Sequence, residues 1–277
     1  MEYIKLNNNV KMPLLGFGTF QLTGQQCMDA VSNAIQAGYR LIDTAEAYGN
    51  EKAVGQGVRA SGIDRQDLFI ATKVNFKSYD NARDTVLASM SKLNTDYLDL
   101  VLLHWPFGNY YHAWHELEGL YQEKRIRAIG VSNFEPDRLV DLISFNKVVP
   151  TINQIETNVY CQQRAARKWM TKYGVQTMAY APLGQGRRND MFTEPIIISL
   201  ADKYGKTPLQ VLLRYLTQER IIVIPRSTNP KHIQENINIF DFTMTDAELQ
   251  AIAAIDKRQP LIGKPEDPHL VEAAMKW

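Results

Sequence analysis

Short, nearly unbroken apolar runs recur along the chain, separated by longer stretches with helical spacing. Phe69–Ala71, Leu100–Leu103 and Ile221–Ile224 are runs of this kind. None alternates strictly between apolar and polar positions, so each reads as a strand buried on both faces. Residues 2–6 and 10–15 flank the turn signal Asn7-Asn8-Asn9 and predict a short hairpin ahead of the main fold. Gly16–Phe20 follows as a first short strand, and Thr23-Gly24-Gln25-Gln26 has the form of a capping box opening a helix to about Gln36. Ala37-Gly38 stops that helix and a second strand runs to Asp43.

The alternation then continues. Helices over about 50–60, 80–93 and 111–124 enclose strands ending at Lys73 and at His104, the latter over 97–104 and stopped by Pro106. Strands over 126–131, 151–154 and 175–180 alternate with helices over 135–145 and 162–173. A polar loop over 184–190 interrupts the pattern before helices near 194–204 and 208–218, the second opened by the cap Thr207-Pro208. Ile221–Ile224 is the eighth strand, a helix starts near Pro230, Thr245 caps another, and a proline-rich tail runs to Trp277.

Eight strand–helix units without a composition break predict one domain over 1–277, an α/β single-domain (β/α)8 TIM barrel with an N-terminal β-hairpin and extra helices late in the chain. A doubly wound open sheet is the rival. No Gly-x-Gly-x-x-Gly opens a helix, which weakens it.

Composition narrows the partners. A formal net charge of +1 provides no global field for nucleic acid or an anionic membrane. Met1–Lys5 lacks the apolar core of a signal peptide, and no run approaches the roughly 20 apolar residues of a membrane span. Cys27 and Cys161 have no metal-ligand spacing and read as thiols in a reducing cytoplasm. No extended exposed apolar pattern demands a second subunit, so a cytoplasmic monomer without metal is expected.

Asp43, Lys73 and His104 each end an apolar strand, 30 and 31 residues apart, or one strand–helix unit each. Parallel strands would bring all three to one rim, with Tyr48 in the loop after Asp43. Taken singly, such a lysine is more often a surface cation and such a histidine a structural one. Together they suit one task. An ammonium beside a phenol lowers its pKa and makes Tyr48 a proton donor, Asp43 keeps Lys73 charged and aimed, and neutral His104 orients a carbonyl. No side chain supplies a hydride, so a cofactor is implied. Arg226 and Ser227, with Lys231 and His232 in the next helical turn, make an anion site at a helix N-terminus; a merely solvated basic turn explains them equally well. Ser132, Asn133 and Gln154 suit a carboxamide, and Tyr180 offers a face for stacking.

These segments resemble the aldo-keto reductase family over essentially the whole chain. The likeness is carried by Gly16–Thr19, Asp43–Glu51, Thr72-Lys73-Val74, Leu103–Pro106, Gly130–Phe134 and Pro225-Arg226-Ser227. Bacterial members resembling 2,5-diketo-gluconate reductases fit best, by the short tail. The resemblance implies an NADPH-dependent reductase of aldehydes or ketones with Tyr48 as general acid, tuned by Lys73 and Asp43, and His104 orienting the substrate. It implies that Thr19, Asp43, Ser132, Asn133, Gln154 and Tyr180 face the nicotinamide side, and that Leu183 and Gln185 cover the pyrophosphate. Arg226, Ser227 and His232 match contacts to the 2′-phosphate, and Glu235 and Asn236 match contacts to adenine.

Two departures stand out. The family commonly has arginine where this chain has His232, which makes NADH possible beside NADPH. It often has tryptophan where Asn75 stands, which leaves Phe20, Trp105, Tyr110 and Tyr111 to supply apolar contacts beside Tyr48 and His104. The short tail predicts an open, unselective pocket. Two other functions share these residues: a cofactor-binding regulatory protein on the same fold, and an aldolase using Lys73 as a Schiff-base nucleophile, which pairing with Asp43 disfavours.

Overall fold

The computed structural model describes residues 1–187 and 189–277; Arg188, in the polar loop expected over 184–190, lies outside them. The chain opens with an antiparallel hairpin, β1 (Tyr3–Lys5) and β2 (Lys11–Pro13), in register Ile4 to Met12. Eight barrel strands follow: β3 (Phe17–Gly18), β4 (Leu41–Asp43), β5 (Phe69–Val74), β6 (Leu100–Leu103), β7 (Ile129–Ser132), β8 (Ile152–Glu156), β9 (Gln176–Tyr180) and β10 (Ile222–Val223). Each pairs in parallel with the next in chain order. The two ends of the sheet also meet. Leu15 bridges Val223, Gly16 N–H donates to Val223 O at 2.8 Å, and Gly18 N–H donates to Pro225 O at 3.0 Å. The sheet therefore closes, the barrel expectation holds, and the open-sheet rival fails.

Helices α1 (Gly24–Gln36), α2 (Glu51–Ala60), α3 (Ala82–Leu93), α4 (Tyr110–Gln122), α5 (Pro136–Phe145) and α6 (Arg164–Lys172) each cross between consecutive strands. Between β9 and β10 lie α7 (Pro195–Tyr204) and α8 (Pro208–Gln218), and after β10 come α9 (Pro230–Ile237), α10 (Asp246–Ala253) and α11 (Pro268–Ala274). Among the described residues no helix is long and apolar enough to cross a membrane.

Strand parity divides the core in two. Leu41, Phe69, Ala71, Leu100, Leu102, Ile152, Met178 and Ile222 fill the barrel interior together with Ile4, Leu6, Met12 and Leu14, so the hairpin seals the end where the strands start. Their neighbours Ile42, Ile70, Val101, Leu103 and Ile129 pack outward against the helices. Both faces are apolar, which is why the strands read as continuous runs rather than alternating ones.

One local expectation needs correction. Thr23 precedes α1, but its side chain makes no capping bond. Gly24 after it takes a φ of 51°, a left-handed turn that the reciprocal bonds of a capping box do not tolerate. Thr207 with Gln210 and Thr245 with Glu248 do form complete boxes, both with helical backbone directly after the cap. In the tail, Asp267 accepts from His269 N–H and caps α11.

Gly130 marks a tight point of the interior, where backbone is the near neighbour. A Cβ there would lie 2.6 Å from Ile152 O and 2.8 Å from Leu102 Cδ2. Backbone cannot yield cheaply in a closed barrel, so Gly130→Ala is expected to cost about 1–3 kcal/mol. A lowered urea midpoint would show it; an unchanged midpoint would mean that the barrel relaxes around the methyl group.

Candidate active site

The inward parity that places Leu41, Phe69, Ala71, Leu100 and Leu102 in the barrel continues to Asp43, Lys73 and His104 at the strand ends. Lys73 is wholly buried, a place an ammonium occupies only when paired. Its Nζ donates to Asp43 Oδ2 at 2.6 Å, to Thr44 O at 2.8 Å and to Tyr48 Oη at 3.4 Å. All three of its protons are thereby engaged. Asp43 Oδ1 accepts from Gln154 Nε2 at 2.9 Å, so the pair is held from β8 as well. Tyr48 sits in a 3-10 turn, Glu46–Tyr48, with its ring 5.8 Å from the His104 imidazole, edge to face.

The electrostatics differ from the simplest expectation at one residue. Burial raises the Tyr48 hydroxyl above the usual phenol range; Lys73 pulls it down and Asp43 pushes it up. Lys73 does not lower it overall, because burial and Asp43 together outweigh the ammonium. Tyr48 is thus a phenol holding its proton. Burial also works against the Lys73 ammonium, but Asp43 and then Tyr48 outweigh it, and its pKa stands above the ordinary value. Burial, helped by the Lys73 charge, lowers His104 to about 3, so the imidazole is neutral, as expected.

A cavity of about 550 Å³ opens above this group. Thr19, Phe20, Asp43, Tyr48, His104 and Trp105 line one part of it. Ser132, Asn133, Gln154, Tyr180, Leu183, Gln185 and Arg226 line the rest. The structure does not bring Ser227, His232, Glu235 or Asn236 into this wall. They follow Arg226 on the segment leading through α9, where Asn236 is buried and His232 and Glu235 are exposed. Ser227 Oγ accepts from Asn229 N–H at 3.1 Å and Asn229 Oδ1 from Lys231 N–H at 2.9 Å, which shapes the start of α9.

The polar groups expected on the cofactor side are tied to each other. Ser132 Oγ donates to Gln154 O at 2.8 Å, Asn133 Nδ2 to His104 O at 3.0 Å, and Tyr180 Oη to Asn133 Oδ1 at 2.8 Å. Asn133 holds a positive φ of 63°, where asparagine is tolerated better than most residues. The donors are spent internally, so the valences left toward the cavity are acceptors: Gln154 Oε1 and a second lone pair on Asn133 Oδ1. Acceptors beside the flat face of Tyr180 fit the amide end of a nicotinamide.

On the substrate side the structure corrects two residues and adds others. Tyr110 and Tyr111 do not line the cavity; Tyr110 packs edge-on against Phe134, and Tyr111 Oη donates to Asp141 on α5. Helix α4 starts at Tyr110 and turns both rings toward its neighbour α5. Trp277 and Ile262, from the tail, do line it. The short tail nonetheless reaches the rim and forms part of this wall. Two supports were also missed. Tyr79 Oη donates to Trp105 O at 2.7 Å and accepts from its N–H at 3.1 Å, fixing the turn after His104. Asn50 links the chain after β3 to the Tyr48 loop, donating to Thr19 O and Leu22 O and accepting from Thr44 Oγ1. A buried tyrosine and a buried asparagine carry no sequence signal that separates them from ordinary packing or capping residues.

A closed parallel barrel with a buried Asp–Lys pair, a phenol and a neutral imidazole at its C-terminal rim defines a class of enzyme. Residues 14–257 match the model of the Aldo/keto reductase family, and the chain belongs to that family. It is 39% identical to the 9,11-endoperoxide prostaglandin H2 reductase of Trypanosoma cruzi, over 95% of both chains. It is also 39% identical to methylglyoxal reductase DkgA of Escherichia coli K12, over 95% of this chain and 96% of that one. Its structure resembles that of the Bombyx mori aldo-keto reductase AKR2E4 in complex with NADP, with a TM-score of 0.89, 34% identity and 95% of each chain covered. The chain is accordingly an oxidoreductase acting on carbonyl groups.

Two measurements test the electrostatics. Lys73→Met strands Asp43 in the interior and is expected to destabilise the fold by about 3–5 kcal/mol, with Asp43→Asn added in the same chain recovering part of the loss. Urea unfolding of the single and double variants reads this directly, and additive losses would count against a tight pair. In nuclear magnetic resonance, the His104 ring signals should stay those of a neutral imidazole down through pH 5 and shift only near pH 3; a midpoint close to the ordinary 6.5 would show that the ring is solvated.

Proposed function

We propose that this chain reduces aldehyde or ketone carbonyls with NADPH and that Tyr48 is the general acid. The observation that carries the reading is the Lys73 ammonium, held 2.6 Å from Asp43 and 3.4 Å from the Tyr48 hydroxyl beneath a cavity that His104 also faces. The nicotinamide, when bound, supplies the hydride that no side chain can. A carbonyl oxygen seated between Tyr48 and His104 takes the phenolic proton, and the Lys73 charge stabilises the phenolate left behind. Asp43 keeps Lys73 protonated and aimed, and Gln154 holds Asp43. His104, neutral, donates one N–H toward the same oxygen and fixes its direction.

Gln154 and Asn133 accept from the carboxamide, with Ser132 bracing Gln154's strand and Tyr180 stacking on the ring. Thr19 Oγ1 donates to Asp43 O at 3.0 Å and stiffens that side. Leu183 and Gln185 cover the pyrophosphate, Arg226, Ser227 and His232 meet the 2′-phosphate, and Glu235 and Asn236 meet adenine. Arg226 supplies a fixed charge for NADPH, and the His232 imidazole adds less to a phosphate than a guanidinium would, which makes NADH possible beside NADPH. The NADP in the Bombyx mori structure and the reductase names of both relatives support this reading. A single barrel suffices for it, and a cytoplasmic monomer is the state in which we place it. The Schiff-base alternative loses ground because Lys73 has no proton to spare and is held charged.

Cofactor oxidation followed by absorbance, with a reactive aldehyde such as a nitrobenzaldehyde, tests the proposal. Wild type should turn over with NADPH ahead of NADH, and Tyr48→Phe should lower kcat by about 10²–10⁴-fold. Comparable use of NADH would assign the relaxation to His232. If both cofactors bind and neither is oxidised, the regulatory role replaces the enzymatic one, and borohydride trapping of substrate on Lys73 would revive the aldolase.

A further inference from the structure

The Tyr48 hydroxyl lies 3.4 Å from Lys73 Nζ, the longest of the three bonds the ammonium makes and close to the limit of a hydrogen bond. A small outward movement of Tyr48 would break it and leave the 2.6 Å bond to Asp43 intact. The segment that carries Tyr48 does little to prevent such a movement. It is one 3-10 turn, closed by Tyr48 N–H donating to Ala45 O and Gly49 N–H donating to Glu46 O, both at 3.1 Å. Ala47 and Gly49, on either side of Tyr48, are exposed. A 3-10 turn has poorer hydrogen-bond geometry than an α-helix, so the place of this one depends on what its side chains reach.

Glu46 reaches the strand of the ammonium. Its Oε2 accepts from Asn75 N–H at 2.8 Å and its Oε1 from Ser78 Oγ at 2.6 Å. Asn75 directly follows β5, two residues after Lys73, and Glu46 lies two residues before Tyr48. One carboxylate therefore joins the segment of the phenol to the segment of the cation, at the same remove along the chain from each. The strand side of this link is fixed, because β5 pairs with β6 up to Val74 opposite Leu103. Bonds to an ionised acceptor are also stronger than neutral ones. Ala47 and Tyr48 line the cavity and Glu46 does not, so the carboxylate acts on a substrate only through its turn. The charges that act on the Tyr48 hydroxyl are Lys73 and Asp43, which leaves Glu46 to work through its bonds to Asn75 and Ser78.

Building on the reductase reading, we infer that Glu46 is a positioning residue, whose carboxylate clamps the Tyr48 turn to the end of β5 and so keeps the phenol within reach of the Lys73 ammonium. The test measures kcat and KM with NADPH and 4-nitrobenzaldehyde in wild type, Glu46→Gln and Glu46→Ala, and repeats the alanine substitution in a Tyr48→Phe chain. Glutamine keeps an acceptor for Asn75 N–H and offers an amide N–H to Ser78 Oγ, so kcat should stay within about threefold of wild type. Alanine loses both bonds, and kcat should fall about tenfold with KM within about twofold, since a misplacement on the order of 1 Å suffices for such a loss. In the Tyr48→Phe chain the alanine substitution should lower kcat no further, because no hydroxyl remains to be positioned. An unchanged kcat in Glu46→Ala, an equal fall in Glu46→Gln, or an equal further fall in the Tyr48→Phe chain overturns the inference. Crystal structures of the variants separate it from the reductase reading. The distance from Tyr48 Oη to Lys73 Nζ should exceed about 3.6 Å in Glu46→Ala, where the hydrogen bond is lost, and keep its wild-type value in Glu46→Gln. If wild type reduces no carbonyl yet this lengthening is found, the reductase reading fails and the clamp stands; an unlengthened distance overturns the clamp whatever the activity.

Discussion

The structure depends on how one buried ammonium is accommodated. Lys73 lies inside a closed barrel with no water to solvate it, and desolvating such a charge costs several kcal/mol unless its partners are close and correctly aimed. The barrel provides them from separate elements: Asp43 at the end of β4, Thr44 O just beyond, and the Tyr48 hydroxyl in the following turn. Each partner is fixed by strand register, so the ammonium is stable only where the barrel is correctly closed. The same register makes the phenol and the cation neighbours. Fold and chemistry thus share one constraint.

From that pair the polar network runs in one direction. Asp43 is braced by Gln154, Ser132 bonds the Gln154 backbone, Asn133 reaches the His104 carbonyl, and Tyr180 reaches Asn133. The side proposed to donate the proton and the side proposed to bind the amide are therefore one hydrogen-bonded unit rather than two sites that happen to adjoin. Positive backbone φ at Asn133 is tolerated because its side chain and its N–H are both bonded, the latter to Gln154 O at 2.9 Å.

Much of this was legible in the sequence, because it follows from periodicity. Continuous apolar runs at one strand–helix spacing imply a parallel barrel, and parity then sends the last residue of each run inward at the rim, which is how Asp43, Lys73 and His104 come together. Capping chemistry worked where the residue after the cap was helical, at Thr207 and Thr245, and misled at Thr23, where a glycine turned the backbone left-handed. The sign of the Tyr48 shift was not legible, since it depends on how dry the site is and how fully Asp43 offsets Lys73. Nor was the tail. Its course is set by contacts of Glu156, Lys77 and Trp105 spanning 100 residues or more, and no local pattern encodes these.

The attachment of the tail at Glu156 separates two kinds of inheritance. The reactive groups sit on strand ends, where any shift disturbs the barrel that holds them, so they tolerate little variation. The wall opposite them hangs from backbone N–H groups on a carboxylate, and backbone bonds are indifferent to which side chains the tail carries. Residues of the tail can therefore drift through many identities while Tyr48 and Lys73 stay where they are. That part of the cavity wall can in this way be rewritten without disturbing the Asp43–Lys73 pair beneath it.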